Sequence, residues 1–235
     1  MSPTLPRRLL AEALGTGLLV CAVIGSGIAA ARLSPDDVGL QLLENSLATG
    51  GVLVAAILAL HPVSASFNPV VTLAEVVLDR LRLVDAAGLI AAQVVGGAVG
   101  AVLANVMFGL DAVSVATQHR AGGGHLIGEA VATFGLVLVV FGTLRGRRPE
   151  TVAFAVAGYI VAAYWFTSST SFANPAVTLA RTLSDTFAGI APASVPGFVV
   201  LQLVGGGIAV AAIRVLHPGP ATEAAVGPAP EGVRS

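Results

Sequence analysis

Lysine is missing from this 235-residue chain, and all twelve basic residues are arginine. Thirteen acidic residues bring the net charge to −1. With no basic stripe and no run of stacking aromatics, the chain has no footprint for a nucleic-acid partner. Charge of either sign is scarce, at 11% of residues against the roughly 25% usual in soluble domains. Hydrophobic residues make up 55%, so there is too little polar surface to face water all round. Cysteine occurs once, as Cys21, which excludes an internal disulfide and a cysteine-rich metal site. Small apolar neighbours mark it as a packing residue. Metal-ligand spacing, a nucleophile elbow and a phosphate-binding loop are also missing. Ser64, Ser66, Ser168, Ser169 and Ser171 form no recognisable triad pattern. The expectation is a protein that is not an enzyme, with no catalytic residue, cofactor or metal.

What the chain does have is apolar length. Six stretches, near 9–31, 41–60, 86–109, 125–144, 151–167 and 196–216, are long enough to cross a bilayer, which takes roughly 20 residues each. The N-terminal run follows Arg7 and Arg8 and continues to Ala31 without a polar cleavage region, so it reads as a first membrane helix rather than a signal peptide. Glycines within the spans (Gly96, Gly97, Gly100; Gly205, Gly206, Gly207) suit close helix approach in lipid. The segment after Leu216 is rich in Pro, Ala and Gly and is expected to be a disordered tail over 218–235. Two shorter apolar segments, near 68–78 and 174–184, are about half a span long and each opens on Asn-Pro. Asparagine suits an N-cap and proline the first helical position. They read as half-helices.

Six spans with both termini in the cytoplasm would put nine arginines inside and leave Arg32, Arg120 and Arg181 outside, in line with the positive-inside rule. The two halves are also self-similar. Asn68-Pro-Val-Val-Thr-Leu-Ala-Glu75 and Asn174-Pro-Ala-Val-Thr-Leu-Ala-Arg181 agree at six of eight positions. Ala11-Glu12-Ala13 is matched by Gly128-Glu129-Ala130, and Gln93-Val-Val-Gly-Gly by Gln202-Leu-Val-Gly-Gly, at offsets of 117, 106 and 109 residues for the three pairs taken along the first half. Repeat 1 covers about 7–110 and repeat 2 about 122–216 of a single membrane domain, 1–217. Three spans per repeat force the second copy to enter the membrane inverted. Such repeats place a site at the midplane, with broken helices aiming their N-termini at it.

Paired Asn-Pro triplets in a three-plus-three repeat resemble the aquaporin and glycerol-facilitator family, also called major intrinsic proteins. The resemblance runs from about Arg7 to Leu216 and includes His61-Pro-Val-Ser-Ala-Ser-Phe-Asn-Pro and Ser171-Phe-Ala-Asn-Pro-Ala. It implies an all-α integral membrane fold, a right-handed bundle of six transmembrane helices plus two re-entrant half-helices, assembled as a homotetramer in the inner cell membrane. It also implies a passive channel for water and small neutral solutes. The pore residues it implies are Asn68, Pro69, Val70, Asn174, Pro175 and Ala176. Each half-helix N-terminus carries roughly +0.5 charge, so two meeting at the midplane disfavour cations. The amides of Asn68 and Asn174 are expected to cap their helices through oxygen and leave the amide nitrogen free for solute.

Departures from the family pattern shape the expected selectivity. Val177 stands directly after the second triplet, where members typically carry arginine, and Arg181 is one turn further on. Spacing from the triplets gives Ala48, Ala162 and Ser171 as the remaining filter positions, with Thr49 the substitute for Ala48. Three small residues and a valine imply a wide, uncharged constriction. Asn-Pro-Ala-Val further resembles a bacterial subgroup associated with arsenic-resistance genes, which suggests arsenous acid, methylated arsenicals or glycerol-sized polyols as solutes. An orthodox water channel is the alternative. Val70, in place of the usual alanine, adds bulk where the half-helices should touch, so slightly looser packing is expected there. Glu12 and Glu129 are the acidic residues well inside the spans. They are read as acceptors for backbone N–H groups of the re-entrant loops, the alternative being a proton relay in a coupled transporter. His61 is read as a vestibule residue, a fixed hydrogen-bonding group or a pH gate. Asp111, Arg120 and Asp185 read as ordinary solvated charges.

Overall fold

A backbone inside lipid must satisfy its own polar groups, which leaves helices as the spanning element for runs of this kind. The computed structural model describes residues 3–146 and 149–217. It contains α1 (Leu5–Leu33), α2 (Val38–Leu60), α3 (Pro69–Val77), α4 (Leu83–Met107), α5 (Gly123–Arg145), α6 (Val152–Phe166), α7 (Pro175–Ala180) and α8 (Val195–Leu216). Among the described residues there is no strand. The expected tail at 218–235, and Arg147, Arg148 and Arg234 of the charge count, lie outside the described residues.

Five of the six long helices are long and apolar enough to cross a membrane alone. The exception is α6, whose 15 residues reach only about 22 Å at 1.5 Å per residue. A 3-10 turn at Pro149–Thr151 leads into it. The third span ends two residues before its expected limit because Gly109 (φ +71°) takes the left-handed position. Its N–H donates to the Val106 carbonyl and that of Leu110 to Asn105, closing the helix end. The second half-helix is shorter than expected. Its α-helix stops at Ala180 and passes into a 3-10 turn at Arg181–Leu183. There the Thr182 hydroxyl takes the Leu179 carbonyl (2.7 Å), a side-chain bond that competes with helix continuation.

Packing repeats between the halves. A Cβ at Gly96 would collide with the Ala13 carbonyl of α1, and one at Gly100 with the Gly17 carbonyl. A Cβ at Gly205 of α8 would likewise collide with the Ala130 carbonyl of α5. Helices therefore touch backbone to backbone in α1/α4 and again in α5/α8, as lipid-embedded packing favours. The half-helices α3 and α7 are wedged between α4 and α8.

The bulk of Val70 goes elsewhere than expected. Its Cγ1 occupies the space that a Cβ at Gly206 would fill. The extra methyls are taken up by a glycine of α8, not by loosening the junction between half-helices. Gly206→Ala should therefore destabilise the fold by about 1–3 kcal/mol through overpacking. Val70→Ala in the same chain should recover most of that loss. Unfolding in mixed detergent micelles with increasing SDS, run as a double-mutant cycle, measures both.

Candidate pore and its lining

The site begins with two strained residues. Phe67 and Ala173, immediately before the two Asn-Pro steps, hold φ of 48° and 47°. Non-glycine residues in such conformations cost of order 1–3 kcal/mol each. What holds them is a buried carboxylate in each half. Glu12 accepts the N–H groups of Ser66 (2.9 Å) and Phe67 (2.7 Å), the Ser64 hydroxyl (2.6 Å) and the Gln93 amide (2.7 Å). Glu129 accepts the N–H groups of Phe172 and Ala173 (both 2.9 Å) and the Gln202 amide (2.5 Å). Both glutamates are fully buried. Gln93 and Gln202 continue each network to Thr72 and Thr178, at 2.9 Å in both cases. The sequence repeat at Gln93 and Gln202 thus marks the far end of the support for each loop, a role that repeat matching alone did not assign.

With the backbone turned this way, the half-helices start at Asn68 and Asn174. Asn68 Oδ1 accepts from Val70 N–H (2.9 Å), and Asn174 Oδ1 accepts from Ala176 and Val177 N–H (3.0 and 3.3 Å). The amides are not left wholly free, which corrects the sequence reading. Asn68 Nδ2 donates to the Ala173 carbonyl and Asn174 Nδ2 to the Phe67 carbonyl, both at 2.7 Å. A side-chain amide carries two N–H groups, so one braces the opposite half and the other has no hydrogen bond to described residues. The left-handed turns at Phe67 and Ala173 supply the carbonyls that make this cross-brace.

A cavity of about 80 Å³ runs beside this junction. One water needs roughly 10–15 Å³ of such space, so the cavity has room for several water-sized groups. Its apolar lining is drawn from Leu19, Val23, Leu53, Ile57, Leu136, Val140, Val156 and Ile160, together with Phe67, Phe172 and Val177. Its polar lining comes from Ser66, Asn68, Asn174, Ser171, Thr49, Tyr164 and Arg181. The Ser171 hydroxyl has no partner among the described residues.

Several expectations need correcting here. Ala48 and Ala162 are exposed on the outside of the bundle and do not line the cavity. Helical rotation brings Thr49 to the inner face in place of Ala48, and on α6 it brings Ile160 and Tyr164. The Thr49 hydroxyl donates to the Asn45 carbonyl (2.8 Å) and lies 3.1 Å from the Tyr164 hydroxyl. On α6, Tyr164 is the one polar side chain of an otherwise apolar buried face, a signal that counting from the triplets passed over. Nor is the lining uncharged, because Arg181 reaches it. Arg120 is buried rather than solvated, and Asp185 accepts Thr117 N–H and hydroxyl (2.9 and 3.0 Å) to tie two loops together. Burial pulls the Arg120 guanidinium below its ordinary value, opposed by Glu129 and Tyr164. His61 sits exposed at the end of α2, outside the cavity lining, and its ring makes no hydrogen bond to described residues. Ser171 and Val177 lie in the lining, whereas Pro69, Val70, Pro175 and Ala176 form the buried first turns behind it.

Two inverted three-helix units, cross-braced at the starts of two half-helices, hold a cavity beside the brace, and this is the construction of a membrane channel for small solutes. The sequence pattern of the family described as major intrinsic protein matches residues 1–167. The aquaglyceroporin AqpS of Rhizobium meliloti is 48% identical over 213 residues, covering 90% of this chain and 91% of that protein. Aquaporin Z of Photorhabdus laumondii is 32% identical over 162 residues, covering 63% and 69%. The crystal structure of the aquaglyceroporin from Plasmodium falciparum superposes with a TM-score of 0.73 over 92% of this chain and 98% of that one, at 18% identity, and so shares the fold. The chain belongs to the major intrinsic protein family. Proteins of this family are passive channels, and this one is a multi-pass membrane channel and not an enzyme.

Replacing Glu129 by Gln puts an N–H₂ against groups that already donate. At least one buried donor should lose its acceptor, at about 1–3 kcal/mol. Amide exchange at Phe172 and Ala173 should accelerate in Glu129→Gln while Ser66 and Phe67 stay protected, and Glu12→Gln should show the reverse. Hydrogen–deuterium exchange with mass spectrometry reads both loops in one experiment.

Proposed function

We propose that this channel passes small uncharged polyhydroxyl solutes, among them glycerol-sized polyols and neutral arsenous acid or its methylated forms, as well as water. The observation that carries this reading is Val177 in the cavity lining directly after the second half-helix start, where a longer polar side chain would narrow the passage. An apolar lining that also carries hydroxyl and amide groups suits solutes with a carbon or metalloid face and several hydroxyls. Each hydroxyl lost to water on entry meets a replacement donor or acceptor, and no carboxylate stands in the lining to bind a cation. The relative from Rhizobium meliloti, an aquaglyceroporin by name, supports a solute channel over a strict water channel.

The channel is proposed to work as a homotetramer in the inner membrane with both termini in the cytoplasm. Arg80, Arg82, Arg145 and Arg214 then lie on the inner side. Flow follows the solute gradient, so the same pore imports or exports. Glu12 and Glu129 are fully engaged with loop N–H groups, which favours passive flow over proton coupling.

Stopped-flow light scattering on proteoliposomes tests the reading, with arsenous acid uptake assayed in parallel. Glycerol and arsenous acid should enter without saturation and without response to a pH gradient. Val177→Arg should slow both by about tenfold, equivalent to ~1.4 kcal/mol on the barrier. Fast water flux with no solute passage would return the chain to the orthodox water channels. Flux that appears only with a proton gradient would sink passive conduction.

A further inference from the structure

We infer that Arg181 sets the charge selectivity of this pore from one helical turn beyond Val177, with Phe172 as its platform and Arg120 as its brace. The inference rests on the channel reading above but not on which solute is carried.

Arg181 is only 3% exposed and lines the cavity. Its Nε donates to the Ala188 carbonyl, and its guanidinium carbon lies 3.4 Å from the centroid of the Phe172 ring. Arg120 approaches the same ring at 5.2 Å. It is fixed by the carbonyls of Gly189 (3.0 Å) and Phe187 (3.4 Å) and by the Gln118 side chain (3.0 Å). Every polar partner of these two guanidiniums is neutral. Among the described residues the one ion pair is Arg82–Asp85, elsewhere in the chain. The acid that bears on them, Glu129, already accepts two backbone N–H groups and the Gln202 amide. Two positive charges are therefore buried against one aromatic ring, with no acidic hydrogen-bond partner among the described residues.

Burying uncompensated charge is costly. The arrangement holds because the ring and the carbonyls stabilise the guanidinium plane. Nε is the nitrogen fixed to the loop, and the terminal nitrogens of Arg181 have no hydrogen bond to described residues, which leaves them to the cavity. The Thr49 and Tyr164 hydroxyls line the same cavity. Four helical residues separate Arg181 from Val177, roughly 6 Å along the axis. A solute therefore meets a fixed positive charge at one level and an apolar, neutral step at the next. Cations and hydronium are repelled where the dielectric is low and the field is focused. Neutral polyols and weak oxyacids instead gain donors for their oxygens. Charge is sorted at Arg181 and size at Val177.

A purely structural role is the competing account, in which Arg181 only ties the Ala188 loop. Arg181→Gln separates the two, because glutamine places its amide nitrogen four bonds from Cα, where Nε stood, but carries no charge. Arg181→Lys keeps the charge and loses the planar contact. Proteoliposomes with a trapped pH dye and a valinomycin-set potassium potential report proton leak, and planar bilayers report cation current. Arg181→Gln should raise proton and cation leak by about tenfold or more, whereas Arg181→Lys should stay near wild type. Arg181→Met, apolar and able to lie on Phe172, should leak as glutamine does and serves if the glutamine variant folds poorly. Wild-type leak in the folded neutral variants, or equal leak in lysine and glutamine variants, overturns the inference. Glycerol and arsenous acid flux through the wild-type channel is read separately. Its failure sinks the solute reading and leaves the leak comparison intact.

Discussion

The whole pore depends on two buried carboxylates accepting backbone N–H groups. Phe67 and Ala173 sit in left-handed conformations that their side chains disfavour, and only a strong local acceptor keeps each in place. Charge-assisted hydrogen bonds from several donors are about twice as strong as neutral ones. A fully buried glutamate with three or four such bonds therefore both stabilises its own charge and fixes the turn. Everything downstream uses that turn. It aims the carbonyls of Phe67 and Ala173 across the midplane, where the amides of Asn68 and Asn174 take them. The cross-brace in turn keeps the two half-helices abutting while engaging only one N–H of each asparagine amide.

Close backbone packing makes room for this arrangement. The half-helices must pass between α4 and α8, so the outer pairs α1/α4 and α5/α8 have to approach closely elsewhere. Glycine against carbonyl at Gly96, Gly100 and Gly205 achieves it. In lipid there is no water to drive helices together, and the attraction comes from dispersion and short polar contacts over the closest surfaces. The Val70–Gly206 pair belongs to the same economy of space: a residue larger than usual in the first triplet is matched by the absence of a side chain on α8.

Much of this was legible from the residues. The duplicated octapeptide, the glutamates at matching places and the glycines after Gln93 and Gln202 gave the inverted repeat and the two half-helices, because each is a local chemical necessity repeated in register. What was not legible depended on rotation and reach. Counting from the triplets put Ala48 and Ala162 in the filter, but each residue turns a helix by about 100°, so an offset of one on α2 or two on α6 moves a side chain off the inner face, and Thr49 and Tyr164 line the cavity instead. Arg120 and Arg181 looked like outer-loop charges because sequence shows position and not reach. Long guanidinium side chains follow apolar surface and carbonyls to places their backbones do not occupy. The half-use of each asparagine amide was likewise hidden, since the acceptor is a carbonyl 105 or 107 residues away.

The duplication also explains where the two halves were bound to differ. An inverted repeat builds a scaffold with nearly equivalent ends, yet the two sides of a membrane do not pose the same problem. The octapeptides depart from each other at two positions, Val70 against Ala176 and Glu75 against Arg181. The first is a matter of packing, settled by Gly206. The second places opposite charges at equivalent points on the two half-helices. Glu75 is held back by the Ser66 hydroxyl (3.2 Å) and stays out of the cavity lining, whereas Arg181 enters it. The cavity thus receives a charged side chain from one half-helix and none from the equivalent point of the other. Scaffold residues had to remain alike in both repeats because each holds the same strained turn. One turn along each half-helix that demand ends, and the pore there becomes directional in charge although flow through it is not.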